Sequence, residues 1–467
     1  MPIRSVPLRL VLVLVSLVVT IQPVFAADPA GRFAVISDIH FNPFDPPRLA
    51  RQLADADVTD WEAIFATIET QTAASYGSDT NYALLKSAID AFAKAAANVD
   101  FVIMPGDFLS HRFQQKAADA LGTDPADDAV KTLAGKTAVY VAEVLREAVP
   151  GRPLIPALGN TDAVCGDYQI EPGGPFLTAT ARAVRDSLGD AATDPDFEET
   201  YRAGGYFAVR HPLVSDTVTI VLNDVLWSTR YSDACGDGRP NGSRAMLEWL
   251  EARLETARAA GDRVWIVYHV PIGIDAYSTA HSKETACDEK PVPFLREPYS
   301  TRYPALLRDY ADMIVASFAG HVHYDGYRLL TGDAGTALGV TKIVPAISPV
   351  FGQNPGFQIF SYDLQSGAPT DFETWYLDNL EETSLATPGD WRREYRFTEA
   401  YGLPSFSAQA TETLWRAASS GPGPDRDAFA RFYPVSHGQF SDTKLPAYLC
   451  AMRYQSVDTF SACYCGQ

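Results

Sequence analysis

The chain has 467 residues, 46% hydrophobic and 21% charged, the balance of a globular protein holding one large α/β domain plus an appendage or two or three smaller domains. Those proportions exclude a multi-span membrane protein and a disordered chain. A formal charge of -20 argues against a nucleic-acid polymer or anionic lipid as partner, since both need a basic footprint; a small anionic substrate would need a local positive charge, such as bound metal ions.

At the N-terminus, Arg4 and Arg9 are followed by an apolar run over residues 10–21 and then by Val24-Phe25-Ala26. This is the charged, apolar and small-residue order of a signal peptide (1–26), with cleavage expected after Ala26 and an exported, periplasmic or extracellular, product. The run falls short of the ~20 residues that span a bilayer, which speaks against an uncleaved anchor, and no later segment is long enough. Export permits disulfides, and Cys165, Cys235, Cys287, Cys450, Cys463 and Cys465 form an even set whose full connectivity is not readable. Cys450 with Cys463 or Cys465 would staple the C-terminus, and Cys165 would reach Cys235 or Cys287. A soft-metal site is the weaker reading, because no pair has the Cys-x-x-Cys spacing.

The first apolar run of the mature chain, residues 33–36, ends in Ser37-Asp38-Ile39-His40 and reads as a buried strand. Side chains two apart on an extended strand share a side, so Asp38 and His40 are expected to converge on one cation. Alone, Asp-x-His occurs by chance in many chains and is more often a capping Asp beside a surface His, so support must come from elsewhere in the sequence. Residues 49–75 and 81–97 look helical, the second on a clear 3.6 period through Ala83, Leu84, Ala88, Phe92 and Ala95. A second apolar run, 99–105, ends in Gly106-Asp107. Helical sequence over 127–148 leads to a third, 153–158, ending in Gly159-Asn160. Strand and helix alternating in this way predict βαβ units.

From Tyr206 the spacing shortens: 206–209 and 217–222 read as a hairpin that opens a second sheet. A helix over 243–260 precedes the strand 263–268, which ends in His269, and the strand 314–319 ends in Gly320-His321-Val322-His323. Close-spaced strands at 327–330, 341–347, 357–364 and 372–377 are expected to be mainly antiparallel. After Glu381 the chain reads as helical and aromatic, so residues 27–384 are expected to form the catalytic domain and 385–467 a C-terminal helical subdomain, with a loop at 419–424.

Collected, the ends of these runs carry Asp38, His40, Asp107, Asn160, His269, His321 and His323. Strand carboxyl ends in an α/β sheet gather residues remote in sequence. Seven oxygen and nitrogen donors exceed one tetrahedral ion and suit two ions sharing a carboxylate.

The succession Asp-x-His, Gly-Asp, Gly-Asn, His and Gly-His-x-His, from Ser37 to His323, resembles that of the calcineurin-like metallophosphoesterases. Val344-Pro345-Ala346-Ile347-Ser348-Pro349, Asn354-Pro355-Gly356-Phe357, Trp391 and Tyr401-Gly402-Leu403-Pro404 are similar to the acid sphingomyelinase-like phosphodiesterase branch, without a saposin-like domain. The resemblance implies a four-layer β-sandwich flanked by helices with a helical C-terminal part. It also implies a hydrolase of small phosphorylated substrates with two divalent metal ions, zinc first, manganese or iron otherwise. Asp38, His40, Asp107 and His323 would hold one ion, and Asp107, Asn160, His269 and His321 the other. The metals would lower the pKa of a bridging water and orient it for in-line attack on phosphorus.

One departure bears on substrate. Many relatives have Gly-Asn-His, whose His helps protonate the leaving group, whereas this chain has Gly159-Asn160-Thr161-Asp162. His111, four residues after Asp107, matches a His of the sphingomyelinase-like branch and is the remaining proton donor; otherwise it is a solvated loop histidine. Without strong acid help, phosphate or nucleotide leaving groups are favoured over an alkoxide such as ceramide. Trp227, Tyr231, Tyr277, His281 and Tyr324 are loop residues near the ligand strands, read mostly as packing aromatics. A phosphomonoesterase or polyphosphatase on the same site, a sphingomyelin phosphodiesterase and a non-catalytic metal-binding surface protein are the rival readings, the last expected to have lost a ligand.

Overall fold

The computed structural model describes residues 1–2, 30–191, 193–233, 242–332, 335–438 and 443–466. The apolar stretch read as an export signal, and Cys235, lie outside the described residues. Among the described residues the strands are β1 (Ala30–Val35), β2 (Phe101–Met104), β3 (Leu154–Pro156), β4 (Phe207–Arg210), β5 (Thr217–Val221), β6 (Arg263–Val267), β7 (Ile314–Ala319), β8 (Gly326–Thr331), β9 (Ala337–Ile343), β10 (Gly356–Asp363), β11 (Pro369–Leu377) and β12 (Trp391–Arg396). They form two six-stranded sheets, β12-β11-β10-β1-β2-β3 and β4-β5-β6-β7-β9-β8.

In the first sheet β1, β2 and β3 run parallel, joined by the helices Tyr82–Ala95 and Asp128–Ala148, while β10 to β12 continue it antiparallel. Both helices start where the sequence has a cap: the Asn81 side chain accepts from the Leu84 N–H at 3.1 Å and Asp127 from the Ala129 N–H at 2.8 Å. In the second sheet β4 and β5 form the expected hairpin, β5, β6 and β7 run parallel, and β9 lies parallel to β7 with β8 antiparallel outside it. The sheets face one another. Phe33 of β1 stacks on Phe101 and Phe360 of its own sheet and meets Trp265 and Phe318 of the other edge-on, with centroids 5.0 and 5.5 Å away. Burial of a ring of this size stabilises by roughly 3 kcal/mol.

Three local expectations are corrected. Residues 49–75 are not one helix: short turns at Pro47–Leu49, Ala50–Asp55, Val58–Asp60 and Trp61–Phe65 are interrupted where Ala56 is extended. Asp55, Asp57 and Asp60 favour turns over helix interior, and the Trp61 indole N–H ties the pieces together on the Leu53 carbonyl at 3.1 Å. Beyond Glu381, Trp391–Arg396 is a strand rather than helix, held to β11 by its ladder and by the Arg393–Glu373 ion pair at 3.2 Å. Cys287 pairs with Cys465 rather than with Cys165, whereas Cys450 pairs with Cys463, one of its two expected partners. Among the described residues no helix is long and apolar enough to cross a membrane.

Candidate metal centre

The carboxyl ends of β1, β2, β3, β6 and β7, drawn from both sheets, point the seven collected side chains at one another. Asp38 and His40 come together by a route other than strand alternation: β1 ends at Val35, and both residues have left-handed backbones, φ 49° and 47°. Asp107, His321 and His323 are left-handed too, at 60°, 70° and 67°. Among the described residues, five of the nine non-glycine residues with positive φ are thus in this cluster. The glycines of the two Gly-Asx pairs are required by close approach. A Cβ on Gly106, which has φ +116°, would meet the Gly159 nitrogen at 2.6 Å, and one on Gly159 would meet Asp107 Oδ1 at 2.2 Å.

Two groups share Asp107. The ligand atoms of Asp38, His40, Asp107 and His323 lie within 4.8 Å of one another, as do those of Asp107, His269 and His321. Asn160 joins the second group through Oδ1, 3.1 Å from His269 Nε2. All are buried except His321, which is partly exposed.

The donor set fits cations. His40 donates its Nδ1–H to the Leu109 carbonyl at 2.9 Å and His269 donates its Nδ1–H to the Pro105 carbonyl at 3.0 Å, so each turns Nε2 into the cluster. There His40 Nε2 sits 3.0 Å from His323 Nε2 and 3.2 Å from Asp107 Oδ2, and His269 Nε2 sits 3.0 Å from the same oxygen. Lone pairs facing lone pairs at these distances require positive charge between them. Burial alone pushes both imidazoles down, but Asp107 outweighs it and raises His40 to about 9 and His269 to about 10. Burial opposes ionisation of Asp107 as well, yet His269 and His40 hold its carboxyl well below the usual range. Divalent cations supply the same charge and displace those protons. The buried cluster is compatible with a dimetal site.

Residues beyond the seven hold this geometry. Asp162 accepts four backbone N–H bonds: Oδ1 from Phe108 at 2.8 Å and Leu109 at 3.2 Å, Oδ2 from Gly159 at 2.7 Å and Asp107 at 3.0 Å. Burial and the charge of Asp107 push its carboxyl up to about 7, against those donors. Thr161 donates N–H to Asp107 Oδ1 at 2.8 Å, with its hydroxyl 2.9 Å from the same oxygen. Asp224 accepts from the His269 and Val270 N–H groups at 3.1 and 3.0 Å. Of these, Thr161 and Asp162 carried a signal in the sequence, their place within Gly159-Asn160-Thr161-Asp162, and Asp224 carried none.

His111 lies beside the cluster, its ring stacked on His40 at 4.0 Å and its Nδ1 2.9 Å from Asp79 Oδ1. Asp79 also accepts from the His111 N–H at 3.0 Å and from Lys116, and although burial opposes it, the His111 side-chain hydrogen bond and the neighbouring His40 and Lys116 hold its carboxyl below the usual range. A cavity of about 200 Å³ opens over the cluster, lined by Asp107, His111, Asn160, His321 and His323 together with Tyr277 and Tyr324. At roughly 30 Å³ per water that space admits a small headgroup. Trp227 instead packs on Tyr299 and Tyr303 in the core, Arg296 lies over Tyr231, and His281 is exposed against Tyr277.

The chain is similar to acid sphingomyelinase-like phosphodiesterase 3b of Homo sapiens, 26% identical over 462 residues that cover 94% of this chain and 90% of that one. A cyclic GMP-AMP phosphodiesterase of Rattus norvegicus is 24% identical over 85% of this chain and 82% of its own. Sphingomyelinase phosphodiesterase C of Dictyostelium discoideum is 26% identical over 71% and 70%. Among solved structures, a dimetal phosphatase from Danio rerio covers 74% of this chain and 96% of its own, with 14% identity and a TM-score of 0.42. The pattern of the calcineurin-like phosphoesterases matches residues 31–325, a span that encloses every side chain of the two groups around Asp107, and the chain belongs to that family.

Proposed function

We propose that the chain is an exported hydrolase of phosphodiester or phosphoanhydride bonds in small phosphorylated substrates. The observation that carries this reading is the sharing of Asp107 between two buried groups of donors. Asp38, His40, Asp107 and His323 would hold one divalent ion, and Asp107, Asn160, His269 and His321 the other; the mixed nitrogen and oxygen set suits zinc, with manganese or iron as alternatives. When bound, the ions supply Lewis-acid charge to the phosphoryl group and activate water for in-line attack.

The chain's own groups do the rest. Thr161 and Asp162 fix Asp107. His111, oriented by Asp79, lines the cavity and would deliver a proton to the leaving oxygen. Thr161 is fully buried against Asp107 and the Leu109 carbonyl, so it has no route to a leaving group. This supports a preference for leaving groups of low pKa, phosphate or nucleotide, over ceramide. The Cys287–Cys465 and Cys450–Cys463 disulfides support an oxidising compartment.

The test compares bis-p-nitrophenyl phosphate with p-nitrophenyl phosphate under added zinc, manganese or iron, followed by nucleoside triphosphates, CDP-choline, polyphosphate and sphingomyelin. Cleavage of the diester and of anhydrides, abolished by Asp107→Asn in a folded protein, is the expected result. Sphingomyelin as by far the best substrate would overturn the preference, and full activity of Asp107→Asn would overturn the shared-ligand assignment.

A further inference from the structure

Two arginines line the cavity over the dimetal cluster, and neither forms an ion pair with a carboxylate among the described residues. Arg328, on β8, is 2% exposed and lines the cavity. Its guanidinium donates to the Tyr327 carbonyl at 3.0 Å and to the Ile274 carbonyl at 3.4 Å, while Nε has no partner. Burial of a guanidinium without a directly paired anion is costly, and burial lowers the affinity of Arg328 for its proton, an effect that Tyr433 and the nearby Asp275 offset only in part. Arg230, exposed on the segment after β5, holds its guanidinium carbon 5.7 Å from the Tyr168 ring centroid, and Tyr168 Oη is 3.5 Å from His321 Nε2.

Two carboxylates on the same wall are engaged elsewhere. Asp275 caps the helix Ala276–Ala280, accepting from the Ser278 N–H at 2.9 Å and from its hydroxyl. Asp167 accepts from the Arg112 N–H at 3.1 Å. Neither makes an ion pair with Arg230 or Arg328 among the described residues. The wall therefore offers unspent N–H donors and positive charge next to the metal ligands, in a chain whose overall charge is -20.

We infer that Arg328 and Arg230 form an anion subsite that holds a second negatively charged phosphoryl group of the substrate, adjoining the one held at the dimetal cluster. This rests on the hydrolase reading above and narrows it. A guanidinium meets phosphoryl oxygens with charge-assisted hydrogen bonds, whereas the quaternary ammonium of a choline headgroup gains nothing from two neighbouring cations. The substrate class is one with two consecutive phosphoryl groups, in which the bond between phosphorus and the bridging oxygen breaks, water supplies the new P–O bond, and the second phosphoryl group leaves with the bridging oxygen.

The experiment measures kcat/KM of the metal-loaded enzyme for ATP and for bis-p-nitrophenyl phosphate, which has a single phosphoryl group, in the parent, Arg230→Met, Arg328→Met and Arg328→Lys. The ratio of the two values is expected to fall by about tenfold or more in each Met variant, through KM for ATP, and to recover partly in the Lys variant. A ratio unmoved in Arg230→Met and Arg328→Met, or equal losses on both substrates, would overturn the subsite. Should Arg328→Met not fold, the exposed Arg230→Met decides alone. A parent enzyme that cleaves neither compound overturns the hydrolase reading itself, a result distinct from an unmoved ratio.

Discussion

Replacement of Asp162 by asparagine isolates what holds the two Gly-Asx loops together. Each carboxylate oxygen accepts two backbone N–H groups, Phe108 and Leu109 on one side and Gly159 and Asp107 on the other. An amide has one acceptor oxygen, so two buried N–H groups would face an NH₂ group. A buried donor left unsatisfied costs about 1–3 kcal/mol, which gives roughly 2–6 kcal/mol for the pair. An unfolding entropy near ~2.1 cal/mol/K per residue converts this, for a chain of this length, into a Tm lower by about 2–6 °C. Alanine, which leaves all four donors unmet, should cost more than asparagine. Because two of those donors flank the Asp107 and Asn160 side chains, metal affinity should also fall about 10- to 100-fold. Thermal melts and metal content after dialysis measure both effects. An Asp162→Asn protein with the parent's Tm and its full metal content would show that the carboxylate does not hold the loops, and the reasoning would fail.

Other outcomes follow from the same structure. His111→Gln should lower kcat about 10²- to 10⁴-fold on substrates with alkoxide leaving groups and far less on p-nitrophenyl esters, while Asp79→Asn, acting through His111, should reproduce the pattern in weaker form; equal losses on both leaving groups would refute proton donation. Gly159→Ala places a Cβ 2.2 Å from Asp107 Oδ1 and should abolish metal retention, measured by elemental analysis. His211, buried with its Nδ1 accepting from the Leu213 and Val214 N–H groups, is lowered by burial to about 4. Below pH 6.5 the unfolded chain takes up a proton there that the folded chain refuses, so stability is full above 6.5 and falls by up to about 3 kcal/mol as pH drops through 4. His211→Asn keeps an acceptor without titrating and should flatten that part of the pH–stability curve; parallel curves would contradict it.

The seven donors were legible because each ends an apolar run or sits in Gly-His-x-His, where pattern alone brings distant residues to a common edge. The hairpin 207–221 and the crossover helices were legible for the same reason, having periodicity and caps of their own. What could not be read depends on tertiary contact. Nothing local says that Trp391–Arg396 finds a ladder partner in β11, or that the cluster draws on two sheets. The Asp38–His40 convergence was right in outcome and wrong in cause, because φ is not written in residue type for Asp or His. Arg230 and Arg328 belong to no motif in the sequence, and only the fold brings both to one cavity wall.

The left-handed backbones at Asp38, His40, Asp107, His321 and His323 set the enzyme's chemistry against its own durability. Each such residue costs on the order of 1–2 kcal/mol relative to one that tolerates the conformation. A descendant released from selection for activity would gain by drifting toward glycine or asparagine at those five positions. The most robust version of this scaffold is therefore an inert one, and engineering for heat resistance must look for its gains away from these loops.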